Sequence, residues 1–225
     1  MADFTRIAVT QAMKELGAIP VFYDPDVEVS KEVLKACYQG GARVFEFTNR
    51  GDSADLVFSE LKKYALKDLP GLMLGAGSVL DAPTTAIYLQ RGADFIVSPI
   101  INPEMAAVCN RRKVAWMPGC GSVTEISYAH QLGAEVVKIF PGAQVGGADF
   151  VKAVKGPIPW ASIMPTGGVS PTRENLTAWF GAGVHCVGLG SKLLVKGPDG
   201  QYDYQGVTRK MKETLKLIVQ IRKTI

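Results

Sequence analysis

Lys138 stands inside the apolar run Val136, Val137, Ile139 and Phe140, and Glu46 stands inside "RVFEFTN". Lysine and glutamate are among the side chains least often fully buried, so each needs a partner or a chemical task. Side chains alternate along a strand, which places Glu46, Thr48 and Arg50 on one face and Val136, Lys138 and Phe140 on one face of another strand. A buried ion pair would satisfy both charges. Nucleophilic chemistry is the alternative. A lysine amine in water, with a pKa near ~10.4, is neutral to only about one part in a few thousand at pH 7, and desolvation favours the neutral form. A neutral amine condenses with a ketone to a Schiff base, and a nearby carboxylate moves the protons. The other lysines fall mainly in helical or loop segments, where exposure keeps them charged, so Lys138 is the outstanding candidate.

Two loops have the form of anion cradles. "MPTGGVSP" runs from a strand into Gly167 and Gly168, with Ser170 and Pro171 expected as N-cap and first residue of the next helix. "VGLGSKL" repeats the arrangement at Gly190 and Ser191. A glycine pair also serves simple tight turns, but two such loops after successive strands make a stronger case for phosphate. Arg50 ends one strand and Ser78, in "LGAGSVL", ends the next; a guanidinium and a hydroxyl together suit a small carboxylate. A structural pairing of Arg50 with Glu46 or a surface aspartate, and a helix N-cap role for Ser78, are the plainer alternatives.

The elements that must position these residues are short β-rich runs, each followed by helical periodicity. They are "IPVFY" (19–23), "RVFEFTN" (43–49), "LMLGAGS" (72–78), "FIVSP" (95–99), "VAWMPG" (114–119), "VVKIFPG" (136–142), "SIMPTGG" (162–168) and "HCVGLGS" (185–191). Gly41-Ala42, Gly92-Ala93, Gly133-Ala134 and Gly181-Ala182 suit helix ends that turn back into a strand. Eight βα units predict an α/β fold, a (β/α)8 TIM barrel, formed by residues 1–225 as one domain. An open doubly wound sheet shares the alternation, yet its GxGxxG after the first strand is missing. In the barrel, strand six lies across from strand two, so Lys138 and Glu46 are expected to meet. The glycine loops follow strands seven and eight, where barrels often bind phosphate. The irregular stretch 195–206 leads into a last helix with Val207, Met211, Leu215 and Ile218 on one face.

Composition sets the boundaries. With 47% hydrophobic residues the chain can bury a substantial core, and 25 basic against 21 acidic residues leave +4 with no long basic block, which argues against a nucleic-acid partner. Cys37, Cys109, Cys120 and Cys186 form no CxxC pair and only His130 and His185 supply imidazole, so neither a metal site nor a disulfide framework is expected. The thiols read as small hydrophobes in a reducing compartment. The N-terminal "MADFTRIAVTQAMKELG" is amphipathic and carries acids, unlike a signal peptide, and no run reaches a membrane span. A cytoplasmic protein without membrane contact is expected.

Taken in order, "FEFTNR", "GAGSVL", "FIVSP", "MPGCGSVTE", "VKIFPG", "PTGGVS" and "VGLGS" resemble the Schiff-base aldolases that act on 2-keto-3-deoxy-6-phosphogluconate and 4-hydroxy-2-oxoglutarate, across nearly the whole chain. The resemblance implies Lys138 as the Schiff-base lysine, Glu46 as the proton-transfer residue, and Arg50 with Ser78 as contacts to the pyruvyl carboxylate. It places Gly167, Gly168, Gly190 and Ser191 at the phosphate, and implies a homotrimer with no metal and no cofactor. Ser78 and Ser122 stand where threonine is usual, Val123 where proline is common, and Asn49 in a typically apolar position; Asn49 and the "CGS" loop are expected in the pocket wall. The implied reaction is cleavage of a small 2-keto acid, phosphorylated, to pyruvate and an aldehyde. A metal-independent phosphosugar epimerase and a non-catalytic phosphosugar-binding module are the alternatives.

Overall fold

The computed structural model describes residues 2–225. Helix α1 (Arg6–Leu16) precedes β1 (Ala18–Phe22), and the chain then alternates: α2 (Val27–Gln39), β2 (Val44–Thr48), α3 (Ala54–Asp68), β3 (Met73–Gly77), α4 (Ala82–Gln90), β4 (Phe95–Val97) and α5 (Pro103–Arg112). The expected fifth strand is split into β5 (Ala115–Met117) and β6 (Gly119–Cys120). There follow α6 (Val123–Gln131), β7 (Val136–Ile139), α7 (Gly147–Lys155), β8 (Ser162–Pro165), α8 (Arg173–Gly181), β9 (Val187–Leu189) and α9 (Tyr204–Arg222).

All strand pairings are parallel, in the orders β5-β4-β3-β2-β1-β9 and β6-β7-β8. The two runs are one ring. β5 and β6 are halves of a single stave interrupted at Pro118, which has no N–H to give to a ladder but whose carbonyl accepts from the Lys138 N–H at 2.8 Å. A Thr166 to Gly188 bridge joins the end of β8 to β9. The result is the (β/α)8 barrel that the alternation predicts.

Both strand faces are buried, as in parallel sheets covered by helices. The outward faces pack on the helices through Phe45, Phe47, Leu74, Ile96, Trp116 and Ile163. The inward set includes Ile19, Val44, Met73, Phe95, Val136, Met164 and Cys186, and Val9 and Met13 of α1 close it from the N-terminal end. Long-range bonds fasten this plug. Arg6 pairs with Glu135 at 2.8 Å, His185 Nε2 meets the Thr10 carbonyl at 2.9 Å, and Asp3 N–H donates to Asp94 Oδ1 at 2.9 Å.

Several local expectations are corrected. The lysines outside strands are not all exposed: Lys62 on α3 is buried and pairs with Asp94 at 2.7 Å and Asp3 at 2.8 Å. Helix α8 is capped by Thr172 rather than Ser170, and Ser170 N–H instead donates to Asn175 Oδ1 at 2.7 Å. Of the four Gly-Ala helix ends, Gly41, Gly92 and Gly133 take positive φ, whereas after α8 that conformation falls on Gly183. The four cysteines are buried, and burial pushes each thiol up to about 12, as expected of side chains that serve as packing.

Candidate active site

The inward face of β2 carries Glu46 into the barrel, and β7 carries Lys138 in from the opposite side. Lys138 Nζ lies 3.5 Å from Glu46 Oε1, with side chains 6% and 1% exposed. Neither Glu46 oxygen accepts a conventional hydrogen bond among the described residues, so Lys138 is the charge that faces it. The Phe140 ring lies 5.3 Å from Nζ and covers it from the mouth of the barrel. Glycines make the room. A Cβ on Gly77, in β3, would fall on the Glu46 carboxylate, and one on Gly119, level with Lys138 in the ladder, would fall on the Pro99 backbone.

Above the pair opens a pocket of about 490 Å³ lined by Tyr23, Arg50, Phe140, Thr166, Gly167, Gly168, Gly190, Ser191, Lys192 and Tyr202, among others. It brings together five of the expected site residues; Lys138 and Glu46 are not among its lining residues, and Phe140, which lines it, is the neighbour that links it to Lys138. Arg50 and Lys192 are its charged lining residues, and no acid lines it. The Arg50 guanidinium has no carboxylate partner among the described residues, which sets aside its pairing with Glu46 or a surface aspartate. Gly167 and Gly168 take φ of 90° and 76°, values that L side chains rarely adopt. Their N–H groups, and those of Gly190 and Ser191, find no acceptor among the described residues, and successive free N–H groups of this kind attract anions. Asn175 holds this cradle from behind, donating to the Gly168 carbonyl at 3.1 Å. Gly190 has ordinary φ, and a Cβ there would meet only the Val21 carbonyl at 3.9 Å, so its backbone does not demand glycine.

Ser78 follows β3 directly at φ 56°, an uncommon conformation for a residue other than glycine. It is not the helix N-cap; Asp81 caps α4. It is also not among the residues lining the pocket. Two expectations about the pocket wall change. Ser122 caps α6, accepting from Glu125 N–H at 3.2 Å, while Glu125 Oε2 accepts from the N–H of Gly121, the residue before the cap, at 2.7 Å. Asn49 turns away from the barrel interior, and its Oδ1 accepts a 2.9 Å bond from the Tyr88 hydroxyl on α4.

Sequence reasoning passed over Thr166, Lys192 and Tyr202. Thr166 was recoverable from the period of two, since it follows Met164 on the inward face; its buried Oγ1 has no partner among the described residues. Tyr202 belongs to a short hairpin closed by the Lys196 to Tyr202 bridge, and packs edge-on against Phe22 at 5.5 Å. Nothing in its local pattern announces that contact.

A barrel that buries an amine against a carboxylate below an anion cradle is suited to an enzyme of carbonyl chemistry, and the comparisons fall in that class. The family model for the KDPG and KHG aldolases matches residues 9–210, and the chain belongs to that family of lyases. It is 30% identical over 213 residues to the 2-dehydro-3-deoxy-phosphogluconate aldolase of Treponema pallidum, covering 94% of this chain and 98% of that protein. The KHG/KDPG aldolase of Escherichia coli is 29% identical over 199 residues, 88% of this chain and 90% of that one. Among solved structures, the 2-keto-3-deoxy-6-phosphogluconate aldolase of Zymomonas mobilis with 3-phosphoglycerate superposes with a TM-score of 0.80 at 27% identity, covering 93% of this chain and 95% of that chain.

Proposed function

We propose that this aldolase cleaves 2-keto-3-deoxy-6-phosphogluconate, or a close 2-keto acid such as 4-hydroxy-2-oxoglutarate, to pyruvate and an aldehyde. The observation that carries the reading is the buried pair, Lys138 Nζ at 3.5 Å from Glu46 Oε1 below a pocket with only cationic charge on its walls. Lys138 passes a proton to Glu46 and adds as the free amine to the C2 ketone, Glu46 gives that proton to the departing hydroxyl so that water leaves, and the protonated imine becomes an electron sink. Glu46, through a water, takes the C4 hydroxyl proton. The C3–C4 bond breaks, its electron pair flows into the iminium, and the aldehyde departs. Protonation of the resulting enamine and hydrolysis of the imine release pyruvate and return the amine. The iminium does the work that a metal would do, so the reading needs no cofactor.

Arg50 at the rim, with the Ser78 hydroxyl, is assigned to the carboxylate of the 2-keto acid. The N–H groups of Gly167, Gly168 and Gly190 and the Ser191 hydroxyl are assigned to the phosphate. A single domain carries the whole site. We place the protein in the cytoplasm as a homotrimer, with no nucleic-acid or membrane partner; among the described residues no helix is long and apolar enough to cross a membrane. The trimer draws support from Leu80 and Ile100, exposed on the loops after β3 and β4, and Val123, exposed at the start of α6, which a second copy would cover.

Borohydride reduction in the presence of pyruvate tests the chemistry. The expected result is irreversible inactivation with a pyruvyl-derived mass on the Lys138 peptide. An unmodified peptide, or equal trapping in Lys138→Ala, overturns it.

A further inference from the structure

The corner that carries Arg50 is held by a clamp outside the barrel, and we infer that Tyr88 and Asn49 are positioning residues for Arg50. The inference rests on the proposed role of Arg50 as the carboxylate contact. Arg50 is exposed and its guanidinium has no carboxylate partner among the described residues, so no ion pair fixes its side chain. Its backbone follows directly from Asn49, whose N–H donates to the Gly77 carbonyl at 2.7 Å and whose Oδ1 accepts from the Tyr88 hydroxyl at 2.9 Å. Tyr88 is fully buried on α4. Burial pushes its hydroxyl above the ordinary tyrosine range, which keeps it protonated and a donor.

The corner needs such support because the next element supplies little. Ser53, at the start of α3, sits at φ 60° and makes no side-chain cap bond, so the first turn of α3 lacks its usual fastening. Other contacts converge on the same corner. The Tyr88 ring packs edge-on against Phe58 at 5.2 Å, Phe58 lies 6.4 Å from Phe47, and Phe47 lies 5.6 Å from Tyr23. Tyr23 reaches the pocket wall, and its hydroxyl occupies the space that a side chain on Gly51 would need. Arg91, at the end of α4, pairs with Asp55 in the first turn of α3 at 3.2 Å. Asn49 is thus bonded from α4 while Tyr23, just after β1, packs against Gly51, with Arg50 between them. An apolar side chain at position 49 would leave the Tyr88 hydroxyl without this acceptor.

Tyr88→Phe keeps the ring and deletes the bond. Hydrogen exchange of the 49–54 segment should quicken in this variant, a readout independent of any substrate. The KM for the 2-keto acid should rise about tenfold, equivalent to about 1.4 kcal/mol, with kcat within about threefold. Asn49→Leu combined with Tyr88→Phe removes donor and acceptor together and, because the bond itself is the clamp, should leave KM raised as in Tyr88→Phe. In an Arg50→Leu background, Tyr88→Phe should change KM no further. Unchanged exchange at 49–54, or a KM effect that simply adds to that of Arg50→Leu, overturns the clamp. If wild type turns over no 2-keto acid, quickened exchange still upholds the clamp while the aldolase reading fails.

Discussion

Replacing Lys138 with methionine should damage stability more than its size suggests. The change keeps an unbranched side chain in the same slot but strips Glu46 of the charge that faces it. Glu46 is fully buried and accepts no conventional hydrogen bond among the described residues. Two unit charges 3.5 Å apart attract by about 5 kcal/mol at an effective dielectric constant near 20. Removing one member of a buried pair typically costs about 3 to 5 kcal/mol, because the other is left uncompensated. In a chain of this size each kcal/mol moves the melting midpoint by roughly 2 to 4 °C, so Lys138→Met should melt roughly 6 to 20 °C below wild type. Lys138→Met combined with Glu46→Leu removes both charges and should recover most of that loss, while remaining inactive. Scanning calorimetry on the three proteins reads the cycle. A single variant as stable as wild type, or a double variant no better than the single, would refute the argument that each of these charges is tolerated in the core only with the other. Glu46→Gln separates the roles: turnover should fall by roughly 10²- to 10⁴-fold while some pyruvate adduct still forms.

Two of the three cradle glycines should respond differently to alanine. Gly168→Ala, at φ 76° and against Ala143, should lose about 1 to 3 kcal/mol, whereas Gly190→Ala should melt within about 2 °C of wild type; equal melting temperatures would contradict the geometry. Ser191→Ala should lower the specificity constant about tenfold for a phosphorylated substrate and little for its unphosphorylated analogue, as expected from one charge-assisted bond. Burial holds the His185 pKa below the ordinary imidazole range. Its folded value therefore lies below its unfolded value, so the stability it contributes is complete above about pH 6.5 and declines as pH falls through that value. His130 shifts in the same direction by the same cause. His185→Gln, which keeps a donor for the Thr10 carbonyl, should flatten the decline in denaturation midpoint below about pH 6.5; an unchanged pH profile would count against it.

The barrel was legible because each stave must be apolar on both faces, and that leaves short, dense runs between helices. The charges at Lys138 and Glu46 stood out against those runs for the same reason. What escaped the sequence depends on where polar atoms find partners in space. Lys62 looks like one more helical lysine until Asp94, 32 positions away, accepts from it. Asn49 alternates away from Glu46 and Thr48, so the period of two places it outside the barrel, but only the fold brings Tyr88 to it. Pro118 divides a stave because a ladder needs an N–H there, a local rule that the apolar pattern of "VAWMPG" hides. Thr172 and Ser170 are both good caps by type, and the choice between them follows from Asn175 bonding back to the loop.

Helix α1 precedes every strand in the chain and is among the last elements to find its partners. Its bond from Thr10 reaches His185, 175 positions on, and the Glu15 carbonyl accepts from Arg222, 207 positions on. A ribosome adding residues at about 5 to 20 per second presents the plug many seconds before those partners exist. Until then Val9 and Met13 have no completed barrel end to enter. The barrel end beneath Lys138 and Glu46 is therefore sealed only after α9 has been made, and a chain stalled before that point would keep an apolar helix face on offer to chaperones.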